Sequence, residues 1–404
     1  MLKHWIWLTT RKGVGVRGVT TLLRTFATAE RIYALTKEEC MQTDGFQVRW
    51  LDEIMDKDLS QAEELLIKCD NLGISLMTYL DEKYPERLRN ISDPPALLYY
   101  RGRFPAFDDE ATIAIVGTRK CSAYGLLHAK QFSKLIANSG AIVVTGGARG
   151  IDTMATKGAL DSASPVVCVM GCGLDITYPR ENRWLFRDVE MHGCLISEFP
   201  PGTRPEPWNF PQRNRIISGL SLGVLVIEAP KKSGALITAN LALEQGRDVY
   251  TIPSNLGVSQ SEGSIDLMRD GAAVVTDGWE IVSNYVHMFP DKLADPRHKT
   301  TLENIFASRY GIPQPIYSPI LTTEDDKKSI DNPRANAYIE NDEPSAALQD
   351  DEKTVLALLS CEPIHVDQLV AMSKLPAQKV SVALTMLQIK QLAHKCGANY
   401  YVRK

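Results

Sequence analysis

Arg213 and Arg215 flank Asn214 within FPQRNRIISGLS, residues 210–221, and no carboxylate lies between Glu206 and Glu228. A guanidinium is a planar fork of donors that matches phosphate oxygens and stacks on bases. Phe210 adds a face on which a base can stack. The chemistry on offer is anion binding beside an aromatic platform. The apolar run GVLVIEA, residues 223–229, follows; it is rich in β-branched residues and bounded by turn-formers, the pattern of a fully buried strand. The spacing therefore predicts two cationic side chains on a turn just ahead of a core strand. Solvated arginines, or arginines paired with carboxylates elsewhere in the chain, fit the same stretch.

Other predicted strand ends carry turns of the same kind. Val116-Gly117-Thr118-Arg119 leaves one strand, Thr145-Gly146-Gly147-Ala148-Arg149-Gly150 opens a helix, and Ser233-Gly234-Ala235 opens another. None is GxGxxG or a Walker A loop, and the missing Lys-Ser/Thr leaves nucleoside triphosphate hydrolysis by that device unsupported. Glycines here let backbone amides approach an anion at a helix N-terminus. The constellation is Arg119, Arg149, Arg213 and Arg215 with glycine amides between them. It lacks the tools of catalysis, because no His stands at a recognisable spacing from a Ser or Cys. Asp152 and Asp175 are the available carboxylates, and both suit helix capping or turn closure. With no base, metal or cofactor motif, the set reads as a clamp several turns wide, suited to a polymer backbone more than to one small phosphate.

The elements that must hold these turns are legible as periodicity. Residues 2 to about 80 carry apolar positions at helical spacing, and GVGVRG, residues 13–18, resembles a helix-hairpin-helix turn, although a glycine-rich turn between packed helices needs no ligand. Pro85, Pro94 and Pro95 break the next stretch, with Ala96 to Tyr100 a candidate edge strand. From Ala111, strands at 113–116, 141–145, 166–170, 195–198, 223–229, 248–252 and 273–276 alternate with helices at 124–138, 151–160, 183–192 and 235–245. That alternation predicts an open parallel sheet, with ligands beyond the carboxyl ends of the strands. Four domains are expected: 1–80 helical, 81–288 the sheet with its anion site, 289–350 a flexible linker rich in Pro, Asp, Asn and Ser, and 351–404 three short helices with a hairpin around Gly397, resembling a winged helix.

Composition narrows the classes. The 404 residues carry a net charge of −4, so a nucleic-acid partner would require the basic residues to be gathered at one site. Eight cysteines without a CxxC pair predict free buried thiols in a reducing compartment, not a zinc framework. No stretch approaches the ~20 apolar residues of a membrane span, and the N-terminus lacks the run and cleavage site of a signal peptide. A cytoplasmic protein is expected.

GTRKCSAYG, TGGARGIDTMATKGAL, GCGLDITYPREN, SEFPPGTRPEPWNFPQRNRIISGLS, VIEAPKKSGALITANLALEQGRDVY and IPSNLG stand in this order, and together they resemble the DNA-processing protein A family (DprA/Smf) over roughly residues 80–280. The resemblance implies an extended Rossmann-like sheet, an N-terminal SAM or helix-hairpin-helix-like helical domain and a C-terminal winged-helix-like domain. It implies a homodimer that binds and protects single-stranded DNA, loads the RecA recombinase during natural transformation or homologous recombination, and is not an enzyme. Carried over by motif, it assigns strand contacts to Gly117, Thr118 and Arg119, to Gly146, Gly147, Arg149 and Gly150, to Phe210, Arg213, Asn214 and Arg215, and to Ser233 and Gly234. Charge reversal at Arg119 or Arg215 is then expected to weaken binding with the sheet intact. One departure is Met154-Ala155-Thr156-Lys157, where the family often carries a histidine. The rival readings are a nucleotide phosphoribohydrolase, whose PGGxGTxxE motif lacks its GT pair and glutamate here, and a duplex-binding regulator working through residues 351–404.

Overall fold

Nine strands form one sheet: β1 Ser75–Thr78, β2 Leu97–Gly102, β3 Thr112–Val116, β4 Ile142–Thr145, β5 Val166–Met170, β6 Cys194–Ser197, β7 Gly223–Val226, β8 Asp248–Thr251 and β9 Ala273–Val274. Their spatial order is β1-β2-β6-β5-β4-β3-β7-β8-β9. From β6 to β9 every pairing is parallel, while β1–β2 and β2–β6 are antiparallel. The parallel part follows from its sequence, since β3, β4, β5 and β7 are buried along their whole length and can only be covered by helices on both faces. This computed structural model describes residues 1–297, 350–360, 364–390, 392–397 and 400–403. The chain divides into two compact units, Met1–Ile312 and Pro313–Lys404.

In the larger unit the helices are α1 Leu2–Thr9, α2 Gly15–Phe26, α3 Ala29–Tyr33, α4 Lys37–Gln42, α5 Leu51–Met55, α6 Ser60–Asn71, α7 Glu86–Arg89, α8 Ala123–Asn138, α9 Ile151–Leu160, α10 Arg183–His192, α11 Asn209–Gly219, α12 Gly234–Glu244, α13 Glu262–Arg269 and α14 Gly278–Val282. One face of the sheet shares a core with α1–α6, α8, α9, α10 and α14, through Trp5, Trp50, Phe132, Ile151, Phe186 and Ile281. The other face buries Leu88 of α7, Ile216 and Ile217 of α11, Ala239 of α12 and Leu267 of α13. The N-terminal helices are thus part of the same packed core as the sheet.

Three expectations need correction. Residues 2–80 are not helical throughout, because Ser75–Thr78 adds to the sheet as its outermost strand. In consequence Ala96 to Tyr100 is no edge: Leu97, Leu98 and Tyr99 are fully buried in β2, which lies between β1 and β6. The FPQRNR stretch is not a turn but most of α11. Pro211 sits in the first turn of that helix, where a missing N–H costs nothing, and Ile216, Ile217 and Leu220 bury its apolar side. Residues 298–349 of the expected linker lie outside the described residues; of the remainder, Phe289 and Leu293 are buried in the larger unit's core.

The smaller unit has α15 Asp350–Leu358, β10 Ile364–His365, α16 Val366–Ser373, α17 Ala377–Ile389 and a hairpin of β11 Ala393–Gly397 with β12 Tyr400–Arg403, which also pairs β10. Val355, Leu369, Val380, Leu384 and Leu387 make a core of their own. Three helices and a hairpin, read from the sequence, are what forms.

Candidate nucleic-acid interface

The strand order reverses between β3 and β7, so the loops leaving those strands diverge and leave a crevice at the carboxyl edge of the sheet. A cleft of about 730 Å³ occupies it. Loops after β3, β4, β5, β7 and β8 line it, together with the first turns of α11.

Arg119 stands exposed on the turn after β3. That turn is fixed from behind: the Thr118 N–H donates to the Glu228 carbonyl at 2.8 Å, and the Lys120 N–H donates to Thr118 Oγ1 at 3.2 Å. The Glu228 carboxylate, itself buried, accepts from the Ser122 amide at 2.9 Å and from the Ser122 hydroxyl, tying the end of β7 to the start of α8. Gly150 presses on the same turn at φ +75°, where a Cβ would lie 2.6 Å from the Thr118 carbonyl oxygen. The Arg119 guanidinium lies 4.7 Å from the centroid of the Phe210 ring. Tyr178 tilts against the same ring at 5.5 Å, and Gly171 lets Phe210 settle, since a Cβ there would come within 2.8 Å of its edge.

Arg213 serves differently. It is 4% exposed, and its Nη1 donates to the carbonyl of Gly146 at 2.6 Å and to that of Val169, bolting α11 to the ends of β4 and β5. Burial pulls its pKa down to about 10, with Asp152 acting in the opposite direction. Burial raises the Asp152 carboxyl, which Arg213 and the amides of Ala148, at 3.2 Å, and Gly146 draw back. The amides of the TGGARG loop are therefore already engaged by the chain's own Asp152 carboxyl group. Asn214 donates to the Gly234 carbonyl at 3.2 Å and accepts from Arg213 Nε at 3.3 Å. Ser233 caps α12 by accepting from the Ala235 amide.

Of the expected contacts, Gly117, Thr118, Arg119, Phe210, Arg213, Asn214, Ser233 and Gly234 line the cleft. Gly146, Gly147, Gly150, Arg149 and Arg215 do not. Gly147, at φ +64°, packs on Phe186 and Met170, and exposed Arg149 pairs with Glu181. Arg215 points away from the cleft, 3% exposed, in an ion pair with Glu198 at 2.5 Å and Asp93 at 3.5 Å. Its charge is spent inside the fold, so reversal there would gather three carboxylates below the surface and disrupt packing. The helix-hairpin-helix-like turn is likewise occupied, since the Gly13 amide donates to Glu53 Oε1 at 3.0 Å. Lys120, Lys232 and Tyr178 also line the cleft, and the motifs alone do not single them out. The signal for the lysines was adjacency, Lys120 following Arg119 and Lys232 preceding Ser233. Among the described residues, no cluster of His, Cys, Asp and Glu could hold a metal ion.

The model of the family described as DNA recombination-mediator protein A matches residues 75–286, across the whole cleft. The chain belongs to the DNA recombination-mediator protein A family. The DprA winged helix domain matches residues 340–399, so the smaller unit follows the same family. "Protein Smf" of a Synechocystis strain is 30% identical over 99% of this chain and 98% of its own. "DNA processing protein DprA" of Bacillus subtilis is 40% identical over 52% of this chain and 70% of its own. The X-ray structure of DNA processing protein A from Streptococcus pneumoniae superposes with a TM-score of 0.62 at 30% identity, covering 70% of this chain and 98% of that one. Membership accounts for the extended parallel sheet and the winged helix. Among the described residues, no helix is long and apolar enough to cross a membrane.

Proposed function

We propose that the cleft binds single-stranded DNA with little sequence preference, and that the chain shields such strands and loads RecA recombinase onto them as a homodimer, in natural transformation or homologous recombination. The DNA part rests on one observation above the rest, the Arg119 guanidinium lying over the Phe210 ring, 4.7 Å from its centroid. A cation–π contact holds the guanidinium in place without using up its N–H groups, which can then donate to phosphate oxygens. Phe210 and Tyr178 offer ring surface beside it for bases, which stack without regard to sequence. Lys120 and Lys232 add charge at the same opening. The recombinase and homodimer parts come from the family resemblance.

Among the described residues, Asp152 is the sole carboxylate lining the cleft, and its oxygens face Arg213 and two backbone amides. A base so engaged is poorly placed to activate water, which counts against the phosphoribohydrolase reading.

The deciding experiment is equilibrium binding to single-stranded and duplex oligonucleotides across a salt series, with Arg119→Ala/Lys120→Ala beside wild type. Strong single-strand preference is expected, with a log–log salt slope that flattens by about 0.7 for each phosphate the variant no longer neutralises. Equal affinity for both nucleic acids, or a variant indistinguishable from wild type, would overturn the assignment. RecA filament nucleation on the same strands tests the loading step.

A further inference from the structure

The loop between β5 and α10 separates two recesses. Tyr178 faces the cleft, whereas its neighbours Ile176 and Thr177 line a second cavity of about 210 Å³, walled by Arg101 of β2, Arg183 and Arg187 of α10, Phe186 and the carboxylates Asp175 and Glu190. Both carboxylates are already matched: Glu190 pairs with Arg101, and Asp175 accepts from Lys68 at 2.8 Å and from the Gly202 amide at 2.8 Å. Arg101 spends its other fork on the Leu174 carbonyl at 3.3 Å. Arg183 and Arg187 are left over, and neither makes an ion pair or hydrogen bond among the described residues.

Their placement is unfavourable for an empty site. Spaced i, i+4, they bring like charges onto one helix face. Arg183 opens α10, so it also adds positive charge where the helix dipole is positive, and that first turn holds no acid. Asn182, the residue before, turns its amide group to Gly147 and Thr153 instead of capping the helix. An anion in the cavity would relieve all of this at once. The volume admits a phosphate group with several waters, each of which takes about 30 Å³.

We propose that this cavity is a second phosphate-binding subsite, held by Arg183 and Arg187 and separated from the cleft by one loop. Its ligand is a phosphate of the strand leaving the cleft past Tyr178, an assignment that rests on the single-strand reading, or the phosphate of a free mononucleotide. The guanidinium forks supply bidentate contacts, and buried Phe186 and Leu195 close the inner wall.

The test compares the full chain with Arg183→Ala/Arg187→Ala and with Arg187→Lys, using oligonucleotides of about 5 and about 30 nucleotides, spanning the usual single-strand site sizes. A strand subsite predicts about tenfold weaker binding of the long oligonucleotide by the double variant, a salt slope lower by about 0.7 per phosphate, unchanged binding of the short one, and partial recovery with lysine. In parallel, the ³¹P resonance of dAMP is followed with each protein. Broadening by wild type but not by the double variant, with long-strand affinity unchanged, assigns the site to free nucleotide. If wild type binds neither oligonucleotide yet still broadens dAMP through these arginines, the cleft reading fails and the subsite stands. Unchanged long-strand affinity, salt slope and dAMP broadening in the double variant would overturn the proposal. Both arginines are exposed and unfavourably placed in the empty site, so the melting temperature of each variant should be no lower than that of wild type.

Discussion

Arg119 stands at the cleft with its guanidinium on Phe210, while Arg215 lies below the surface between Glu198 and Asp93. In sequence the two look alike, each an arginine with a second basic residue close by, Lys120 beside Arg119 and Arg213 two places before Arg215. A sequence reveals a charge but not what faces it, and the partners of Arg213 and Arg215 come from Asp93, Gly146, Val169 and Glu198, far away along the chain. Removing one partner of a buried pair strands the other charge, at about 3–5 kcal/mol. Arg215→Ala should therefore lower the unfolding free energy from urea titration by that much, and Arg215→Ala/Glu198→Ala by less than the two single changes together. A single-variant loss below about 1 kcal/mol would mean the pair is dispensable. Arg119→Ala should leave stability within about 0.5 kcal/mol of wild type and weaken single-strand binding.

At the scale of elements, hydrophobic runs located most of the parallel strands to within a residue or two, because strands buried on both faces read as uninterrupted apolar segments, although the run at 223–229 overshoots β7, which ends at Val226. The misreadings fall where that signal is diluted. Ser75–Thr78 is short and follows a long helical pattern, and α11 hides behind Pro211, a residue that suits the beginning of a helix as well as a turn. The GTR turn depends on two supports from other elements, Glu228 and Gly150. Gly150→Ala forces a Cβ onto the Thr118 carbonyl at a positive φ, so it should cost about 1–3 kcal/mol in thermal unfolding and weaken single-strand binding by displacing Arg119. Wild-type affinity in that variant would show that the turn is held without the glycine.

Across the whole molecule, the N-terminal helices and the sheet form one core, and Lys68 of α6 reaches Asp175 beyond β5. Burial pushes the Asp175 carboxyl up, but the hydrogen bonds from Lys68 and Gly202 together outweigh it and hold its pKa below 3.8. A depressed carboxyl contributes stability above its ordinary value and loses it as pH falls through 3.8 toward the folded value. The stability difference between wild type and Lys68→Met, from urea titrations, should be constant near neutrality and shrink in that acidic window. Thiols report the same core. Burial drives Cys168 up to about 12 and Cys172 up to about 11, so a thiol reagent should leave both untouched until the chain unfolds.

The antiparallel flank has a consequence for how the protein is made. β2 leaves the ribosome ending at Gly102, but the strand that covers its inner side begins at Cys194, 92 residues later. At roughly 5–20 residues per second, that interval lasts on the order of 5–20 s. During it, the antiparallel pair of β1 and β2 shows a bare edge and the apolar side chains of Leu97, Leu98 and Tyr99. Nascent chains of this protein are therefore most exposed to chaperone capture, and to cross-pairing between neighbouring ribosomes on one message, while residues 103–193 are being added.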